Sequence, residues 1–562
     1  MGAGITEPHA DFPAIHFLAL SAARHAGRDN LIELHLDPAA HTYSEASRRT
    51  LAHSLDNALR AAQVLLDWNV GPTCRVIIMA PNCAWHMLVH VACSAIGAIT
   101  VPLDQHLQAG ELAAILVNCE PDVVICGDAQ IDRVERATTL NIDADNASHP
   151  ARQPRVVTVD QWSRAVAETS PLPLADVAAL PADTVGAILY TSGTAAHPKG
   201  VTLTHENLWW GTRNFRDVFE YGPRTVEAVS VPLSHIGGFN GTTLDLAVSG
   251  GTVIIVDAVH PAALVEALGS YQVEMMFAVP TMYRMMCQVP TFTSDGLPSF
   301  TRPLIGGAPV PADLAAMLRE RGLEPFSVWG MTEQAASGTC LVPGLPADRS
   351  TTSGYPFPHT RIGIEMVDGL DAHAVPVEGT RAGESPSLVA SVLPPSSRGG
   401  DIRANTIGEL ICTGPSVTNG YWNDEELNAA SLRGPWLRTG DLGFIDEDGF
   451  VHIVGRKVAT VNTGGEKVLP HEVEQVLTRM DGVRSAHVVG VPDVKWGEAV
   501  SAVLVMNEGC EAPSLHDVRE FAGRYLARFK VPQRLAVVES LPVSSNGKVT
   551  VCALRAVFAP GD

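Results

Sequence analysis

Two rhythms of apolar residues alternate along the first third of the chain. Leu51, Leu55, Leu59, Val64 and Leu65 recur at helical spacing and predict an amphipathic helix, while Arg75–Met79 is a short unbroken apolar run that reads as a buried strand. A second helix over residues 84–96, leading to a strand over 98–101, and strands over 122–126 and 155–159 continue the pattern, which is that of an α/β sheet covered by helices. Further on, residues 185–190 read as a strand, 207–216 as a helix and 229–235 as a strand ending at His235. Towards the end, Val473, Val476, Leu477 and Met480 give a helical face, 487–491 and 500–505 read as strands, and Leu515, Val518, Phe521, Ala522, Tyr525 and Phe529 predict a helix opened by Ser514. Residues 446–449 form a turn signal between short strands, and the Gly-, Pro-, Ser- and Ala-rich stretch 369–407 reads as a mobile surface insertion. No repeat of fixed period is evident.

Composition narrows the class. A chain of 562 residues is too long for one core and predicts two or more domains. With 46% hydrophobic and 18% charged residues it is ordinary globular protein. A formal net charge of -22 argues against nucleic acid or an anionic membrane as the main partner, so a polyanionic ligand would have to be met by locally placed Lys, Arg and helix N-termini. The ten cysteines are scattered without a Cys-x-x-Cys pair, which indicates neither a zinc site nor a disulfide framework and fits a reducing cytoplasm. The apolar runs 91–103 and 244–256 are too short or too broken to span a bilayer, and no secretory signal is read, so a cytoplasmic protein is expected.

The stretch 190–201 changes the picture most. The strand over 185–190 feeds Thr191, Ser192, Gly193 and Thr194, and the loop closes on Pro198, Lys199 and Gly200. Hydroxyls and unpaired N–H groups are neutral donors, Gly193 and Gly200 let the backbone approach an anion, and Lys199 adds a positive charge, so such a loop can wrap phosphates. The order is not that of a Walker A loop, because here Lys precedes Gly; alone, the stretch also reads as a Gly/Ser/Thr-rich surface turn.

This loop resembles the phosphate-binding loop of the adenylate-forming superfamily, which includes acyl-CoA synthetases, with Ala195 and Ala196 where the family usually has Thr and Gly. Losing a hydroxyl and a flexible hinge there should make the loop poorer at following the leaving pyrophosphate. Other stretches resemble family motifs too. Gly306, Gly307, Ala308 and Pro309, with Trp329, Gly330 and Met331, stand where the family binds adenine, and a glycine-lined slot with a planar cover suits a flat base. By the same resemblance Thr332 contacts the α-phosphate and Glu333 binds Mg²⁺, while Asp441 accepts hydrogen bonds from both ribose hydroxyls. Arg456 belongs to the nucleotide-binding set, and Lys548, after Asn-Gly, is the catalytic lysine.

The segment around His235, Gly237 and Gly238 corresponds to the family's acyl pocket and carries no acid to hold an ammonium, so an apolar carboxylic acid is expected, with the two glycines admitting something bulky. Gly464 and Gly465 would leave room for pantetheine, with Lys467 beside them. The family's hinge Asp is replaced by Ala459. The resemblance implies an α/β fold: a large N-terminal adenylate-forming domain over residues 1–457, with α/β sheets and a small β-barrel-like part, a hinge at 458–459, and a small mobile α+β C-terminal domain over 460–562. It implies an acyl-CoA synthetase using ATP, Mg²⁺ and coenzyme A. An enzyme that stops at acyl-AMP and hands it to a partner enzyme or carrier protein, and a non-catalytic nucleotide-binding protein, remain as alternatives, and a homodimer is left open.

Overall fold

Neighbouring residues of the buried strands face opposite layers. In Arg75–Met79, Val76 and Ile78 join one apolar cluster while Ile77 and Met79 join another, and in Val123–Cys126 the residues divide in the same way. A strand that must be apolar on both faces reads as a continuous run, which is why these segments were legible. The computed structural model describes residues 13–140, 153–191, 198–345, 352–367, 404–463, 466–493, 496–526, 528–541, 549 and 551–558. The chain divides into two compact units, residues 1–361 with 413–435 and residues 362–412 with 436–562.

The first unit holds two large sheets. The seven-stranded sheet is parallel through Val185–Thr191, Ile99–Pro102, Arg75–Met79, Val123–Cys126 and Arg155–Thr158, and on the side of Val185–Thr191 it is extended by antiparallel pairing to Lys199–Thr204 and then Gly420–Tyr421. The nine-stranded sheet is parallel through Phe326–Trp329, Arg302–Gly306, Met275–Ala278, Val226–Val229, Thr252–Val256 and Asp29–Asp37, with antiparallel strands at both edges. One apolar cluster takes residues from both sheets and from the helix Trp85–Ile96, all twelve residues of which are buried. Further clusters line the opposite face of each sheet. The predicted helix from Leu51 is Leu51–Asp67, capped by Thr50, and that over 207–216 is His205–Phe219, opened by a Thr204–Asn207 capping box.

In the second unit, Gly408–Thr413, Trp436–Ile445 and Val451–Arg456 form an antiparallel sheet, with Asp446 bonding the N–H groups of Asp448 and Phe450 in the expected turn. Val483–Asp493 and Gly497–Met506 make a long antiparallel pair, joined in parallel by Arg534–Val537 and covered by Pro470–Leu477 and Leu515–Ala522. The mixed α/β architecture, with large N-terminal and small C-terminal parts, is the expected fold class.

Two expected elements differ. The strand ends at Val229, three residues before Pro232, which would bar a longer ladder for want of an N–H, and His235 instead sits at the N-cap of the short helix Ile236–Phe239. The helix opened by Ser514 stops at Ala522 before Gly523, and Phe529 lies in a separate turn, Arg528–Lys530. The stretch 369–407 lies outside the described residues up to 403; beyond it Ile407 is buried with Leu442 and Leu469. Among the described residues no helix is long and apolar enough to cross a membrane.

Candidate active site

The phosphate-loop candidate is the end of a hairpin. Val185–Thr191 and Lys199–Thr204 pair antiparallel, and the last register pair is Thr191 with Lys199, so both residues stand at the base of the loop. Ser192, Gly193 and Thr194, with Ala195 and Ala196, lie outside the described residues. Gly200 is required by packing: a Cβ there would meet Ile188 Cγ2 at 2.9 Å and the Tyr190 ring at 3.1 Å. The Tyr190 phenol, whose acidity burial suppresses, donates to Asn118 Oδ1 at 2.5 Å and anchors the outgoing strand.

A second group leaves the C-terminal ends of neighbouring parallel strands, where ligands of open α/β sheets bind. Gly306 pairs with Val328, so residues 307–309 and 329–333 begin side by side. Gly307 adopts φ +78°, and Gly307, Ala308 and Pro309 are exposed, leaving an open face for a flat base. The turn after Trp329 is tight: a Cβ on Gly330 would lie 2.0 Å from the Ala336 carbonyl oxygen, and Ala335 and Ala336 hold φ of +47° and +74°. Such left-handed alanines cost energy and mark a turn determined by its surroundings. Thr332 is half-buried and Glu333 is buried.

Glu333 Oε1 accepts the Tyr421 hydroxyl at 2.9 Å, and Tyr421 sits on the short strand paired with the loop hairpin at Val201. The first unit therefore ties Lys199, at the base of the loop, to Glu333 through one strap of chain. Nothing local in the sequence signals this, since Tyr421 stands in a plain Gly-Tyr-Trp run.

The acyl-pocket candidates are arranged otherwise than their residue types suggest. His235 is half-exposed, its Nε2 3.9 Å from Asp104 Oδ2. The space that Gly237 leaves is occupied by Phe277, since a Cβ there would lie 2.8 Å from its ring, and a Cβ on Gly238 would meet the Pro232 carbonyl oxygen at 2.4 Å. These glycines let the chain pack on itself and do not by themselves make room for a bulky acid. Phe277, which also reaches to 2.8 Å from a Cβ placed on Gly306, is a residue that sequence reasoning missed.

In the second unit Asp441 and Arg456 face each other across a ladder pair, with Arg456 Nε 2.5 Å from Asp441 Oδ1 and the carboxylate only 4% exposed. Lys457 Nζ meets Glu409 Oε2 at 2.7 Å, and Glu409 Oε1 accepts the Gly440 N–H. Gly464, Gly465 and Lys548 lie outside the described residues, and Lys467 lies on the strand Glu466–Val468.

Among the described residues no cluster of three or more His, Cys, Asp or Glu could hold a metal ion. Mg²⁺ does not need one, because it keeps several waters and takes one or two carboxylates together with substrate phosphates. Glu333, a carboxylate oriented by a phenol at the end of the strap, fits that demand.

The protein families match this chain in two stretches: the AMP-binding enzyme family over residues 21–422 and its C-terminal domain over 472–548. The chain belongs to the AMP-binding enzyme family. It is 32% identical to a feruloyl-CoA synthase of Amycolatopsis sp., covering 92% of this chain and 94% of that protein, and 27% identical to a long-chain-fatty-acid–CoA ligase of Mycobacterium tuberculosis, covering 93% and 96%. The ATP-bound crystal structure of MatB from Rhodopseudomonas palustris shares the fold with a TM-score of 0.80 at 24% identity, over 98% of this chain and 99% of that one.

Proposed function

We propose that the protein is an acyl-CoA ligase: it activates an apolar carboxylic acid, bulky or fatty, with ATP to acyl-AMP and passes the acyl group to coenzyme A. The observation that carries this reading is the strap that joins the phosphate-loop hairpin to Glu333, beside strand ends open to a base. Names of the relatives support the substrate class, one being a feruloyl-CoA synthase and another a ligase of long-chain fatty acids. The absence of an acid at 234–236 argues against an amino-acid substrate.

A carboxylate oxygen attacks the α-phosphorus, a bond to that oxygen forms as the bond to pyrophosphate breaks, and acyl-AMP results. Lys199, Lys548 and Thr332 offset the charge that develops on the phosphates. The other loop donors, Thr191, Ser192, Gly193 and Thr194, cradle them. Gly307, Ala308, Pro309, Trp329, Gly330 and Met331 hold adenine, Asp441 holds the ribose and Arg456 orients Asp441. Glu333 would hold Mg²⁺, which when bound neutralises phosphate charge. The coenzyme A thiol then attacks the acyl carbonyl and AMP leaves. In this reading residues 460–562 turn about 458–459 between the half-reactions, and Gly464, Gly465 and Lys467 meet coenzyme A.

ATP–pyrophosphate exchange across aromatic and fatty acids tests the first half, and adding coenzyme A tests the second. Acid-dependent exchange followed by thioester and AMP is expected. No exchange with any such acid would overturn the reading, and exchange without thioester would favour an enzyme that stops at acyl-AMP.

A further inference from the structure

The segment 414–422 is short of regular structure yet heavily bonded. Its strand, Gly420–Tyr421, is two residues long and could not hold a register unaided. Asn428 supplies the missing constraint: its Oδ1 accepts the Tyr421 N–H at 2.7 Å and its Nδ2 donates to the Tyr421 carbonyl at 3.1 Å. Gly420, at φ +147°, leaves the space for this clamp, because a Cβ there would lie 2.4 Å from Asn428 Oδ1.

On one side the strap holds the hairpin, with Trp422 N–H donating to the Gly200 carbonyl at 2.7 Å and Thr202 Oγ1 donating to the Gly420 carbonyl at 2.7 Å. On the other side it holds the turn at 333. Thr418 N–H donates to the Glu333 carbonyl at 2.8 Å, and the Tyr421 phenol donates to the Glu333 carboxylate. Both side chains are buried, so this bond forms where water competes little.

We infer that Tyr421 is a positioning residue for the cation bound with ATP: its phenol fixes the orientation of the Glu333 carboxylate, and Asn428 clamps the Tyr421 backbone in the strand that pairs with the loop hairpin. The inference rests on the proposed ATP- and Mg²⁺-dependent activity. Carboxylates that ligate metals are themselves commonly held by hydrogen bonds, and removing such a partner typically costs about 10- to 100-fold in metal affinity. Phenylalanine at 421 keeps the ring and deletes only the donor.

The test is Mn²⁺ binding, followed by electron paramagnetic resonance, to the full chain with the non-hydrolysable α,β-methylene analogue of ATP. Tyr421→Phe should weaken Mn²⁺ binding about tenfold while the analogue's metal-free affinity stays unchanged. Asn428→Ala, which keeps the phenol but releases the clamp, should weaken it in the same direction by less. Glu333→Gln separates the inference from the reading beneath it. If Glu333→Gln lowers Mn²⁺ affinity while Tyr421→Phe and Asn428→Ala do not, the positioning role is overturned and the metal role of Glu333 stands. If Glu333→Gln has no effect either, the metal reading falls and takes the inference with it. Should Tyr421→Phe fail to fold, Asn428→Ala decides by the same measurement.

Discussion

Asp441 is buried but for 4% of its side chain and already paired with Arg456, so any further partner meets a carboxylate whose orientation is set. Two vicinal hydroxyls suit its two oxygens. A hydrogen bond to a charged group contributes about 1.5 to 3 kcal/mol, so Asp441→Ala should weaken ATP binding about tenfold to a hundredfold by calorimetry. Unchanged affinity would put the ribose elsewhere. Lys548→Ala should slow pyrophosphate exchange by about 10² or more, the scale for losing one preorganised donor to developing charge, and should affect thioester formation from supplied acyl-AMP much less. Equal losses in both half-reactions would contradict its assignment. These residues stand out in the sequence because each lies in a short local string that resembles a family motif. The Tyr421–Glu333 bond was not, since its partners are 88 positions apart and only the folded sheets bring them together.

At the scale of elements, the strand Val226–Val229 lies inside the nine-stranded sheet and carries a fully buried carboxyl, Glu227, to which Thr242 Oγ1 donates. Burial pushes its pKa from 4.5 up to about 8, so the protonated form predominates at neutral pH. With the folded pKa above the unfolded one, its contribution to stability is full below about 4.5 and is lost as pH rises through about 8. Glu227→Gln should therefore flatten the fall of melting temperature across that window and give the more stable protein above it. The difference is on the order of a few kcal/mol at most. Identical slopes in both proteins would show that no proton is taken up there. Buried strands and long helices were read from the sequence because burial on one or both faces imposes a period. The segment 229–235 misled because its apolar residues continue through Val231 and Leu233 past Val229, where the ladder stops. At Gly237 the missing side chain makes room for the protein's own Phe277, and at Gly238 for the Pro232 carbonyl, neither of which a glycine in a sequence reveals.

For the whole molecule, the decisive question is how the chain passes from one half-reaction to the other. Lys457 is held by Glu409, and the next residues form the single turn Lys457–Ala459 before Thr460. Proline at 459 would fix φ near -65° and remove an N–H. Ala459→Pro should keep acyl-AMP formation and lose most thioester formation, measured as separate half-reactions. Undiminished transfer would place the pivot elsewhere. The alternation of helix and strand revealed the layers, whereas the division into units, which joins residues 362–412 to the C-terminal part, follows from contacts that no local pattern encodes.

The ladder that ends at Thr191 and Lys199 makes the reach of the loop and the aim of its lysine independent variables. Residues gained or lost within 192–197 would alter how far the loop extends and leave the pairing untouched. Deleting one residue from the strand Lys199–Thr204 is different in kind, because side chains alternate and, with the helix behind it fixed, the positions ahead of the deletion would swap faces. Loop length is thus a graded setting, while strand parity is a two-position switch on which the direction of Lys199 depends.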